Sequence, residues 1–315
     1  MTIFGSSGDA NEQGGRPRWG DDPALVDPEL IARAMRLTTP LFGPGGPYEV
    51  SFEGWEHLPD APALVVGNHS GGTTVPDSFG LGYAWTGKHG TNRPLMALGH
   101  DMIFRMGGPV GRTFAKFGGL RATPDMGRTI LAEHHKDLLV YPGGDKDVWR
   151  PFSRRHQVTF AGRKGYARLA LAAGVPIVPI AHCGSHQSFV VLTDGTPVAR
   201  ALGIHNRFRA EVFPVHLSLP WGLAVGPWPH LPLPVRFRYR MGAPVYPPAG
   251  ADPRDPEAIA AFDAAARASL QAELDALAET APTPAEQLAH IRETGRRLAE
   301  VGRDVAAAIR AAVGG

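Results

Sequence analysis

Cysteine occurs once in the 315 residues, at Cys183. A single thiol excludes an internal disulfide framework and any zinc site built on cysteines, and it fits a reducing compartment. Long apolar runs are missing as well: no stretch approaches the roughly 18 consecutive apolar residues of a membrane-spanning helix. The opening M-T-I-F-G-S-S-G-D-A-N-E lacks the basic start and apolar core of a secretory leader. These absences predict a protein of the cytoplasm or one lying peripherally on the cytoplasmic face of a membrane. No large excess of charge of one sign exists either, since 32 Lys and Arg against 30 Asp and Glu leave a formal net charge of +2, and no nucleic-acid partner is expected.

That near-neutral total hides an uneven distribution. Arg105 to Arg168 holds thirteen basic residues against five acidic ones, whereas the chain from Asp252 onward holds eleven acidic against seven basic. A basic centre suits an anionic ligand or an anionic membrane surface.

The stretch with the strongest chemical signal is Val65–Gly80. Ala63-Leu64-Val65-Val66 reads as a buried strand that stops at Gly67-Asn68-His69. A Gly- and Thr-rich loop follows, and Pro76-Asp77 opens a helix. Histidine is the side chain best suited to accept a proton near neutral pH. A carboxylate that holds its other ring nitrogen fixes the ring and stabilises the imidazolium. To do so Asp77 has to fold back over Ser70–Pro76, which the small residues of that loop permit. The spacing alone leaves two readings open: a base with its orienting acid, or a backbone-satisfied histidine beside an acid that only caps a helix.

Along the chain, residues 1–23 are Gly-, Asp- and Arg-rich and are expected to be a disordered arm. Asp27-Pro28-Glu29 starts an N-terminal helix within 24–47. Residues 48–246 alternate strand and helix signals: strands at 48–52, 63–66, 94–98, 138–141 and 175–180, and helices at 101–116, 123–135 and 162–173. The pattern predicts an α/β fold with a central mixed sheet flanked by helices. Residues 247–315 predict a C-terminal helical hairpin broken at Pro282 and Pro284, its second helix lined by Leu288, Ile291, Leu298, Val301, Val305 and Ile309. The segment 214–234 holds six prolines, two tryptophans and no charged residue. That density of proline predicts irregular structure with no central strand, packed on the core or set into a membrane interface. Arg236, Arg238 and Arg240 then share one face of a strand, either solvated at a sheet edge or placed to meet lipid phosphates.

Two further blocks could contact a ligand. Gly143 and Gly144 end the strand at 138–141 and allow close approach to the backbone; Phe117-Gly118-Gly119-Leu120-Arg121 ends in a guanidinium able to clamp an anion. No metal site is expected. His182 and His186 follow a strand instead of riding a helix with a Glu between them, and His134 and His135 are adjacent.

Taken in order over residues 62–246, these blocks resemble the lysophospholipid and glycerol-phosphate acyltransferase superfamily. Asn68-His69 with Asp77, Gly118-Gly119-Leu120-Arg121, Tyr141-Pro142-Gly143-Gly144 and Val175-Pro176-Ile177-Val178-Pro179 stand where the family has its four blocks. Two positions depart from it. The family's acid follows its histidine after four residues, where this chain has Thr74, so the role passes to Asp77. Gly143 stands where a Glu is usual, and the Tyr-Pro-Gly-Gly form is closer to the diacylglycerol acyltransferase branch.

The resemblance implies that His69 takes a proton from an acceptor hydroxyl attacking an acyl thioester. Asp77 would orient the ring and glycine-loop amides would hold the oxyanion. Acyl-CoA or acyl carrier protein would be the cosubstrate, with no cofactor and no acyl-enzyme. Arg121, Gly143, Gly144, Arg163 and Lys164, with Arg150 nearby, are the candidates for acceptor and phosphate binding. The competing readings are a lipid esterase with Ser70 as nucleophile, for which Gly-x-Ser-x-Gly fails at Asn68, and a lipid-binding protein without activity.

Overall fold

The computed structural model describes residues 19–105, 108–204 and 210–313. In chain order the main elements are α1 (Pro28–Phe42), β1 (Val50–Glu53), β2 (Leu64–Gly67), α2 (Pro76–His89), β3 (Met96–Gly99), α3 (Asp101–Arg105) and α4 (Gly108–Lys116). Next come β4 (Gly119–Arg121), α5 (Pro124–Arg128), β5 (Leu138–Val140), α6 (Gly144–Val148), α7 (Gly165–Ala173), β6 (Ile177–Cys183), β7 (Val190–Thr193) and α8 (Thr196–Ala201). The chain closes with β8 (Val215–Ser218), β9 (Gly222–Val225), β10 (Phe237–Met241), α9 (Pro256–Glu279) and α10 (Pro284–Val313).

A mixed sheet runs in the order β1-β10-β6-β2-β5-β3-β4. Strands β2 to β6 are mutually parallel, β10 is antiparallel to β6, and β1 is parallel to β10. The carboxyl ends of five strands therefore meet one edge, where α/β folds place their sites. Strand β2 lies inside the sheet with helices over both faces, so its residues need no polar alternation. Leu64 and Val66 join Leu138, Ile177, Phe262 and Leu270 on one side; Val65 joins Val178, Phe237, Leu81 and Trp85 on the other. Helix α9 covers the first face, and α2, which carries Asp77, covers the second.

Several sequence expectations change in detail. Over the expected helix at 101–116 the described residues are helical at Asp101–Arg105 and Gly108–Lys116, and Gly108 enters the second stretch at a left-handed φ of 55. The helix expected to 135 is capped by Thr123 as anticipated, but residues 129–133 wind as a π-type turn. Of the expected disordered arm, residues 1–18 lie outside the described residues. Residues 19–23 pack on β4, where Arg121 N donates to Gly20 O at 2.9 Å.

The proline-rich segment also needs correcting. It forms β8 and β9, and β8 is the middle strand of a three-stranded antiparallel sheet with β7. Four-residue strands fit between the prolines because Pro214, Pro220, Pro227 and Pro229 fall at strand ends and turns, where no ladder hydrogen bond is lost. Strand β10 is likewise no edge strand, since it lies between β1 and β6. In the C-terminal pair, the expected apolar lining of α10 is not buried at Leu288, Leu298 or Val301. That helix is instead tied by polar bonds, Gln287 Nε2 to Pro234 O at 2.7 Å and Arg297 Nη1 to Gly45 O at 3.0 Å; the side chains of Val305 and Ile309 lie outside the described residues. Among the described residues no helix is long and apolar enough to cross a membrane.

Candidate active site

Strand β2 delivers Asn68 and His69 to the carboxyl edge of the sheet. Asn68 fastens the strand end to its neighbour, donating from Nδ2 to His182 O at 2.9 Å and accepting at Oδ1 from His182 N at 2.8 Å. With both amide groups engaged, the backbone entering His69 cannot swing.

The loop after His69 is shaped for one purpose, to return the chain to the histidine. Gly71 (φ 100) and Gly72 (φ 63) are left-handed, and a Cβ on Gly71 would lie 2.3 Å from Pro76 Cδ. Residues Gly72–Thr74 close a 3-10 turn. Val75 is left-handed too (φ 39), a costly state for a β-branched residue and one that concentrates at functional sites. The extra residues are thereby coiled up, and Asp77 in the first turn of α2 points back at the ring.

His69 Nδ1 and Asp77 Oδ2 are 2.7 Å apart. The same oxygen accepts from Ser70 N at 2.7 Å, and Asp77 Oδ1 accepts from Ser78 N at 2.8 Å. Tyr239 donates its hydroxyl to Asp77 O at 2.6 Å from the other side. Asp77 is fully buried. Burial alone would raise its pKa, but the charge and hydrogen bond of His69, with His182 and the Ser70 amide, bring it below the usual value. A carboxylate accepting from Nδ1–H leaves the lone pair on Nε2, the tautomer a general base needs. The ring plane is fixed by Tyr141, stacked on His69 with centroids 4.2 Å apart and planes within 4°.

The remaining residues singled out in the sequence fall into two groups. Gly143 and Gly144 follow β5, the strand beside β2, and so adjoin the histidine. Gly144 N is engaged by Tyr141 O at 3.1 Å. Gly143 has no room for a side chain, since a Cβ would sit 2.3 Å from both Asp147 Cβ and Thr159 O. Arg121 ends β4, three strands from β2, or about 14 Å at ordinary strand spacing. Its guanidinium pairs with Asp21 at 2.8 Å and with Asp101, and lies over the Phe104 ring.

Arg163 braces the glycine loop, with Nη1 donating to Gly143 O at 2.6 Å and Nη2 meeting Asp145 and Glu211 at 3.1 and 3.0 Å. Two acids and a carbonyl occupy it, so a phosphate there would have to share it with them, as at Arg121. Lys164 is exposed beside it. Arg150, also considered for phosphate, is 1% exposed and paired with Asp147. Burial lowers its pKa to about 9, which leaves it charged at neutral pH.

Residues 49–183 match the model of a family described as Acyltransferase. This segment, less than half of the chain, is similar to that family. It spans every residue of the site from His69 to Lys164 and the sheet from β1 to β6, while β10 and the two C-terminal helices lie beyond it. Proteins described as uncharacterized in Mycobacterium tuberculosis and Mycobacterium leprae are 33% and 32% identical over 201 residues, which is 63% of this chain and 52% and 51% of theirs. The chain thus spans about half the length of these relatives. The 1-acyl-sn-glycerophosphate (LPA) acyltransferase of Thermotoga maritima is 15% identical over 78% of each chain at a TM-score of 0.44, a loose likeness that carries no residue role.

The sequence marked the block that begins at Tyr141 but not the stacking of that ring on His69, and it gave no role to Asp147 or Tyr239. The stacking could have been suspected, because Tyr141 ends the strand beside β2. Tyr239, 162 positions after Asp77, gave no local signal.

Proposed function

We propose that the protein transfers a fatty acyl chain from the thioester of acyl-CoA or acyl carrier protein to the hydroxyl of a lipid acceptor. The observation that carries this is the 2.7 Å contact of His69 Nδ1 with a buried Asp77, inside a segment similar to the acyltransferase family and at the carboxyl edge of the sheet. In this reading His69 Nε2 takes the acceptor's hydroxyl proton as the oxygen attacks the thioester carbon. The tetrahedral oxyanion collapses, the C–S bond breaks, and the imidazolium returns the proton to the thiolate. Asp77 holds the ring and stabilises its cationic form. Because Gly144 N is engaged, the oxyanion role in the glycine loop falls to Gly143 N–H. Arg121, Arg163 and Lys164 are the candidate contacts for acceptor or phosphate; a phosphate at Arg121 would share it with Asp21 and Asp101, and one at Arg163 would share it with Asp145 and Glu211.

The lipid-facing surface in this reading is the β8–β9 hairpin. Leu217, Leu219, Trp221, Leu223, Trp228 and Leu231 are all exposed on an uncharged stretch. Both indole N–H groups are satisfied within the protein, on Pro229 O at 2.6 Å and Val225 O at 2.9 Å, so the rings can leave water without stranding a donor. The hairpin reaches the active site, as Thr73 Oγ1 donates to Pro227 O at 2.8 Å. Of the neighbouring arginines, Arg238 bonds Thr280 O at 2.7 Å and Arg240 pairs with Glu273 at 2.6 Å, while Arg236 is half exposed and meets Glu49 at 3.5 Å, which leaves Arg236 as the candidate for lipid phosphates.

The test is incubation of purified protein with labelled acyl-CoA or acyl carrier protein and a panel of lysophospholipids, diacylglycerol and glycerol 3-phosphate. Acylation of one acceptor, lost in His69→Ala, is expected. No acylated product from any pairing overturns the reading.

A further inference from the structure

Two consecutive backbone amides at the site end on two different buried carboxylates. Ser70 N donates to Asp77, as described, and His69 N donates to Asp147 Oδ2 at 2.5 Å. Asp147 comes from α6, on the far side of the glycine loop, and is fully buried. A lone carboxylate there would carry a large desolvation cost. Arg150, one helical turn on, meets its other oxygen and anchors itself by donating Nη2 to Arg155 O at 3.1 Å. Gly143 is what lets the acid reach: the Cβ of Asp147 occupies the space a side chain at 143 would need.

We propose that Asp147, held by Arg150, is a positioning residue for His69, resting on the reading of His69 as the base. A general base has to keep its nitrogen within hydrogen-bond reach of the acceptor while its charge changes. Asp77 restrains the ring and the Ser70 amide, but the ring can still move with its own Cα. The bond to His69 N removes that freedom, so the histidine is fixed at the backbone by one acid and at the ring by the other. Because Arg150 neutralises Asp147, this second acid adds little net charge beside the imidazole. A buried ion pair is often dispensable for stability when replaced as a unit by apolar residues. Asp147 also satisfies the buried amide of His69, so positioning is separated from stability by reading kcat and KM in variants that fold.

The experiment uses the full chain and two variants. In Asp147→Asn the one remaining oxygen is contested by Arg150 and His69 N; in the double variant Asp147→Leu with Arg150→Met the pair is removed as a unit. Amide hydrogen exchange at His69 is expected to quicken by about tenfold or more in each, with Ser70 unchanged. The kcat is expected to fall about tenfold to a hundredfold, with KM for the acyl thioester within about threefold. Wild-type exchange at His69 and wild-type kcat in a folded variant would overturn the proposal; if the double variant does not fold, Asp147→Asn decides. Should the wild-type protein acylate nothing, the proposed function fails, and the exchange at His69 still decides whether Asp147 holds it.

Discussion

Asp77 Oδ2 accepts from both His69 Nδ1 and Ser70 N, while its Oδ1 accepts from Ser78 N and, at 3.4 Å, from Ser78 Oγ, so one carboxylate satisfies four donors with two oxygens. An amide cannot do this. In Asp77→Asn one side of the group presents N–H to a donor, and the simplest relief is for His69 to turn Nδ1 into an acceptor and protonate Nε2. That is the wrong tautomer for a base. The expected loss in kcat is about 10²- to 10⁴-fold with a small change in KM, measured by steady-state acyl transfer.

Ser70 contributes its amide to the site, and its side chain is not needed in the proposed chemistry. Ser70→Ala is expected to transfer acyl groups at close to the wild-type rate. A hydrolase with Ser70 as nucleophile would instead lose a factor of about 10⁶. The same assay, read for free fatty acid as well as acylated lipid, separates the two.

Gly143 is a steric requirement at an ordinary φ of −66°. Gly143→Ala is expected to cost about 1–3 kcal/mol, because the methyl group displaces Asp147 or the Thr159 backbone. Urea unfolding of the variant beside the wild type measures it, and an unchanged midpoint would show that Asp147 does not crowd this position.

Buried histidines make the fold acid-sensitive. Burial lowers the pKa values of His182 and His230 from 6.5 to about 4. Between those values the unfolded chain binds protons that the folded one does not, so stability rises with pH across the window and is lost as pH falls through it. Each group contributes a slope of about 1.4 kcal/mol per pH unit. His230→Gln should flatten the stability–pH curve between pH 4 and 6.5 by about that slope, as read by urea midpoints at several pH values.

The β8–β9 hairpin predicts a separation of membrane binding from chemistry. Leu223 and Leu231 are each 63% exposed, so glutamates there should change stability by no more than about 0.5 kcal/mol. Leu223→Glu with Leu231→Glu is expected to weaken binding to anionic lipid vesicles by about tenfold or more. Transfer to a water-soluble acceptor should be unaffected. Co-sedimentation with vesicles and an assay in solution give the two readouts.

Local patterns determined much of this protein. The all-apolar Leu64–Val66 run, the cap Asp27-Pro28 and the alternation of strands with helices specify a layered α/β core, because burial on one or two faces writes itself into residues a few positions apart. The block order around Asn68-His69 and Tyr141–Gly144 pointed to the acyltransferase family for the same reason, since each block is a strand end followed by its loop. What the spacing could not decide was the partner of His69. Seven residues separate it from Asp77, and whether the acid returns depends on three left-handed residues and a 3-10 turn, which are properties of the folded loop. The fates of Arg121, Arg163 and Arg238 were equally beyond the sequence, because their acids and carbonyls come from other parts of the chain. Asp147 shows the limit most clearly: only when the sheet places β5 beside β2 does its carboxylate meet the amide of His69.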